Sequence, residues 1–154
     1  MRFIDDDRNY DAYFQYLDEI KGRMLPHIHA FASDVNHHIL TSPNSLHDCW
    51  IEYWKICEVV VGEKRGERRV DIEACLLGQM HDRHIHLHYK DVRKHTITAN
   101  HKSGYGDLLV HELTIGDDGL YVHELEFASG AVFTVKFSDL IHRIELFANA
   151  PKRL

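Results

Sequence analysis

Cysteine, proline, positive charge and long apolar runs are all scarce in this 154-residue chain, and each scarcity excludes something. The three cysteines, Cys49, Cys57 and Cys75, are an odd number, and all fall in strand-like runs. They read as small buried hydrophobes in a reducing compartment, not as a disulfide framework. No apolar run approaches the length that crosses a bilayer, and Met1-Arg2-Phe3-Ile4-Asp5-Asp6-Asp7 lacks the apolar stretch of a secretory signal. A cytoplasmic address and no membrane partner are therefore expected. Lys and Arg number 18 against 24 Asp and Glu, a formal charge of −6 with histidine neutral. That balance argues against a nucleic-acid partner, which needs Lys and Arg gathered on one face. The one basic cluster, Lys64-Arg65-Gly66-Glu67-Arg68-Arg69, falls in an expected hairpin loop. Walker, dinucleotide, HExxH, EF-hand and CxxC patterns are missing, as are repeats and linkers. A single domain over residues 1–154 follows, large enough for a core without staples.

Histidine is plentiful. There are 14, and the densest run, Arg83-His84-Ile85-His86-Leu87-His88-Tyr89, alternates strictly with apolar residues. Strict alternation is the mark of a half-buried strand, so Ile85, Leu87 and Tyr89 share one face and His84, His86 and His88 the other.

The first 45 residues read as helical. Tyr10, Tyr13, Phe14, Leu17, Ile20 and Met24 recur at steps of three and four, predicting an amphipathic helix over 5–24. Asp5, Asp6 and Asp7 suit its N-terminal end. Pro26 suits the first turn of a second helix over 26–39, carrying Ile28, Ala32, Val35 and Ile39. From Leu46 the period becomes two, with strands expected at 48–61, 69–78, 83–97, 107–115, 120–128 and 131–137. Residues 138–147 fit a helix or a further strand equally well. The expected fold is α+β: two N-terminal helices (1–45) packed on a six-stranded, mostly antiparallel meander (46–147).

Two turns refine this. Gly116-Asp117-Asp118-Gly119 and Ala128-Ser129-Gly130 suit type I turns ending in a left-handed glycine. They predict the pairs Ile115–Tyr121, Leu113–His123 and His111–Leu125, then Leu125–Phe133 and His123–Val135. Residues 109, 111, 113 and 115 then share the core side, with His111 and His123 as diagonal neighbours. Glu112, Glu124, Glu126, Thr134 and Lys136 collect on the other, wet face.

Three groups could carry chemistry. His84, His86 and His88 could share zinc or another divalent metal, with Glu112 from a neighbouring strand completing the set, although a solvated polar face explains the row as well. His111 and His123 could line a pocket as an acid–base pair, or simply be hydrogen-bonded core histidines. Trp50 and Trp54 put aromatic area on one strand, mostly core, but a partner site if it spills outward together with Glu124 and Glu126. His47-Asp48 lacks any nucleophile in context and reads as turn chemistry.

Leu46-His47-Asp48, Tyr89-Lys90-Asp91-Val92, Leu108-Leu109-Val110-His111-Glu112 and the Gly116–Gly119 turn together resemble a group of small uncharacterised bacterial proteins that put helices before a β-meander. The resemblance spans about residues 46 to 137 and implies an immunity protein against a contact-delivered toxin, with no catalytic residues. Here His111 stands where that group more usually has an acid. The expectation is thus a non-enzymatic, immunity- or antitoxin-like binder of a basic protein partner, or a self-associating one, with no cofactor. The alternative is a metal-binding protein or small metal-dependent hydrolase built on His84, His86 and His88.

Overall fold

The long run 83–97 bends at Asp91, and the bend sets the architecture. The computed structural model describes residues 2–5, 7–63, 66–99 and 102–148. Its strands are β1 (Trp50–Val60), β2 (Arg68–Leu77), β3 (Arg83–Lys90), β4 (Lys94–Thr98), β5 (Leu108–Ile115), β6 (Tyr121–Phe127), β7 (Val132–Phe137) and β8 (Asp139–Leu146). They form two antiparallel four-stranded sheets, ordered β1-β2-β3-β8 and β4-β7-β6-β5. The α+β class stands. The single six-stranded meander is corrected to eight strands in two sheets, and residues 139–146 are strand.

The physical reason lies at one corner. β3 runs into β4 and β7 into β8, and the two long strands stay paired throughout. Between the pairs Lys90↔Asp139 and Lys94↔Lys136, three residues on one strand face two on the other. The extra residue makes a bulge, which bends the strand and sharpens its twist, and Asp91 takes a left-handed φ of 52°. Strands that switch sheets at such bends form the corners between packed sheets. The buried Asp71 carboxylate secures this corner, accepting from Asp91 N–H at 3.0 Å, Arg69 Nε at 2.9 Å and His88 Nε2 at 3.1 Å. Burial alone raises the Asp71 pKa, but these hydrogen bonds outweigh it and hold the group below its ordinary value.

Both hairpin registers are as expected. One residue is corrected: a bulge between Leu108 and Val110 turns Leu108 fully inward and leaves Leu109 only half-buried. Ile72, Leu76, Leu87, Tyr89, Phe127, Phe133 and Phe137 fill the core between the sheets.

The helices, α1 (Asp11–Ile20) and α2 (Pro26–Ser33), are shorter than expected, each followed by a 3-10 turn. Asp5 is used in a turn before α1, accepting Arg8 N–H on its carbonyl and Asn9 N–H on its carboxylate, both at 2.9 Å. Asp6, and Lys64 and Arg65 of the basic cluster, lie outside the described residues. α2 stops at the extended Asp34, and two of its final carbonyls are taken by histidines: His37 Nδ1 donates to Phe31 O at 2.8 Å and His38 Nε2 to Ala32 O at 3.1 Å. α1 buries Tyr13, Leu17 and Ile20. It seals the edge of β5, where the Tyr13 and Tyr16 hydroxyls bond the backbone of Leu113 and Ile115. α2 packs on β8. No helix among the described residues is long and apolar enough to cross a membrane.

Candidate functional site

Alternation places His84, His86 and His88 on the outward face of β3, with Ile85, Leu87 and Tyr89 buried behind them. The face is built, not merely wet. Each imidazole Nε2 meets a carboxylate: Glu52 at 2.7 Å from His84, Glu145 at 2.9 Å from His86, and Asp71 at 3.1 Å from His88. His86 and Arg143 hold Glu145 below the ordinary carboxylate range. His88 is committed to the corner through Asp71, which separates it from the other two.

Cys75 joins them instead. In β2 the inward residues are Ile72, Ala74 and Leu76, so Cys75 has the outward parity, and the register sets it directly beside His86. Cys75 Sγ and one ring nitrogen each of His84 and His86 lie within 4.8 Å of one another. Among the described residues no other three His, Cys, Asp or Glu groups converge so closely. Zinc bonds of about 2.0–2.3 Å in a tetrahedron need ligand atoms roughly 3.3–3.8 Å apart, so modest side-chain rotations close the set. Burial and Glu52 raise the Cys75 pKa, so a metal has a proton to displace. Tyr53, His88 and Arg143 line a shallow hollow of about 220 Å³ next to His86. The parity of Cys75 was readable in the run 69–78 and its neighbour strand in the meander order, but the register that sets it against His86 was not.

Glu112, expected to complete the row, sits in the other sheet. It is buried, not wet, and its carboxylate accepts the amides of Arg2, Phe3 and Ile4 at 2.9–3.0 Å. Trp54 packs inward against Tyr89 and Phe133, whereas Trp50 is half-exposed and donates to Asp107. Glu124 and Glu126 lie on the outer face of β6, so the tryptophans and these acids do not form one patch. His47 accepts from Arg8 at 2.9 Å and lies 2.8 Å from the Asp48 carboxylate in a tight turn.

His111 and His123 do come together, in a fully buried line. His111 Nε2 contacts the His37 carbonyl at 3.3 Å, and a carbonyl only accepts, so Nε2 carries the proton. In the neutral ring Nδ1 then accepts, from His123 Nε2 at 3.0 Å. His123 Nδ1 must accept in turn, from the Tyr89 hydroxyl at 2.7 Å. Every proton in Tyr89→His123→His111→His37 O is thereby assigned. Burial drives the His123 pKa down to about 3 and His111 well below its ordinary value, and it raises Tyr89. His38 stacks on His111 at 4.3 Å, and burial lowers it to about 4. The line is a satisfied neutral core network, with no exposed end for acid–base work.

Compared with known proteins, the chain matches no family model, no curated protein and no solved structure.

Proposed function

We propose that the protein binds a divalent transition metal, zinc by preference, through Cys75, His84 and His86. The convergence of one thiol and two imidazoles within 4.8 Å carries this reading. A borderline-soft N₂S set suits zinc better than magnesium or calcium, which take oxygen. Glu145, beside His86, and Glu52, beside His84, are positioned to orient the imidazoles or supply a fourth donor. Three protein ligands, the buried Cys75 and the half-buried His84 and His86, leave one coordination position for water or a partner group.

The test is metal content of untagged protein, zinc-loaded and dialysed, measured by elemental mass spectrometry. One equivalent is expected in wild type and in His88→Ala. Cys75→Ser and His86→Ala should retain little. Substoichiometric metal in folded wild type, or full retention by both variants, defeats the reading.

A second reading, the interaction module, draws on β1. Among the described residues this 11-residue edge strand pairs only with β2, and it exposes Trp50, Tyr53, Ile56 and Val60. Long apolar edges are templates for a further strand. Binding to a basic protein in the manner of an immunity protein, or self-association, would use this edge. Val60→Lys, placing a charge on it, should abolish concentration-dependent association in analytical ultracentrifugation; a strictly monomeric wild type removes the self-association form of the reading.

A further inference from the structure

On the side of β8 that faces α2 lies an open cavity of about 520 Å³. Phe31, Leu140 and Ile144 give it apolar walls, and Asp34, His37 and His142 give it polar atoms. Those polar atoms are mismatched among themselves. His37 Nδ1 donates to the Phe31 carbonyl, so in the neutral ring Nε2 bears a lone pair. It faces Asp34 Oδ2, a second acceptor, across 3.8 Å, too far for a direct hydrogen bond. Asp34 Oδ1 is already used, accepting Asn36 N–H at 2.9 Å. His142 Nε2 is buried with no hydrogen-bond partner among the described residues, and burial followed by His37 lowers the ring to about 4. His142 also stands 4.8 Å from His37 and 4.9 Å from Phe31, ring centre to ring centre, which makes the polar end aromatic.

We propose that this cavity binds a small primary ammonium compound with an apolar or aromatic body. An ammonium carries three donors on one positive centre, and a nitrogen about 2.9 Å from both Asp34 Oδ2 and His37 Nε2 satisfies both. Its charge answers Asp34, and its apolar body meets Phe31, Leu140 and Ile144. An anion meets the Asp34 charge. A bare metal ion needs a tighter set, because Asp34, His37 and His142 do not close to within 4.8 Å as Cys75, His84 and His86 do. The proposal is independent of the zinc reading.

Isothermal titration with 2-phenylethylamine, against 2-phenylethanol as its neutral counterpart, tests this in wild type and Asp34→Asn. Asparagine keeps an oxygen for the Asn36 amide, so the turn survives, and a thermal melt checks it. Wild type should prefer the amine about tenfold or more, and Asp34→Asn should reduce that preference to about twofold or less. Absence of saturable amine binding at millimolar concentration overturns the proposal. Equal affinity for amine and alcohol also overturns it, as does an undiminished preference in Asp34→Asn.

Discussion

The hydroxyl of Tyr13 closes both outward backbone groups of Leu113, accepting from its N–H at 2.8 Å and donating to its carbonyl at 2.9 Å. One phenol thus does for the β5 edge what a neighbouring strand does elsewhere. Burial raises the Tyr13 pKa, so the hydroxyl keeps its proton as donor. Tyr13→Phe leaves two buried backbone groups without partners and should cost about 2–4 kcal/mol in urea unfolding. Tyr16→Phe, at a half-buried position that water can reach, should cost under about 1.5 kcal/mol. Equal costs for the two would refute the sealing role.

The assigned proton order in the core makes its members unequal. Tyr89→Phe strands only His123 Nδ1 and should destabilise by about 1–3 kcal/mol. His123→Leu strands both the Tyr89 hydroxyl and His111 Nδ1, with a predicted loss of about 2–5 kcal/mol. Denaturation midpoints rank the two, and a reversed order contradicts the assignment.

Acid should unfold the protein through these rings. His38, His123 and His142 lie at about 4, 3 and 4 in the fold, and His111 is also depressed. In the unfolded chain each returns to about 6.5, so between roughly pH 6.5 and 4 the unfolded state binds more protons. Stability is full above pH 6.5 and falls as pH drops toward 4, by up to about 1.4 kcal/mol per pH unit per histidine. Unfolding free energies at pH 7.5, 6.0 and 5.0 check this. A flat profile over that range would show that the buried imidazoles do not govern acid stability.

The zinc binding proposed at Cys75, His84 and His86 carries a stability consequence. Free zinc at a hundred times its dissociation constant should add about 2.7 kcal/mol to wild type. Thermal melts should show the gain lost in Cys75→Ser and kept in His88→Ala. A shift that survives Cys75→Ser would place the metal elsewhere.

Much of the sheet was legible because turn chemistry and alternation are local. The glycine turns predicted both registers of β5–β6–β7, and those registers set His111 diagonally against His123. Alternation likewise placed the histidine row outward and Ile85, Leu87 and Tyr89 inward. What failed is non-local. Glu112 has outward parity on β5, yet the N-terminal segment folds over it and its carboxylate receives three amides. Cys75 is buried, as its apolar character suggested, but on the outward-parity side of β2 beside His86.

By itself, then, the sequence determined the α+β class, the strand parity and the hairpin registers, since each follows from backbone geometry over a few neighbouring residues. Only the tertiary structure decided that β3 and β4 belong to different sheets. A one-residue bulge at Asp91 depends on the partner strand and on the Asp71 carboxylate, twenty residues away. Long-range packing likewise turned His37 and His142 into one cavity, because contacts between distant segments are written in no local period.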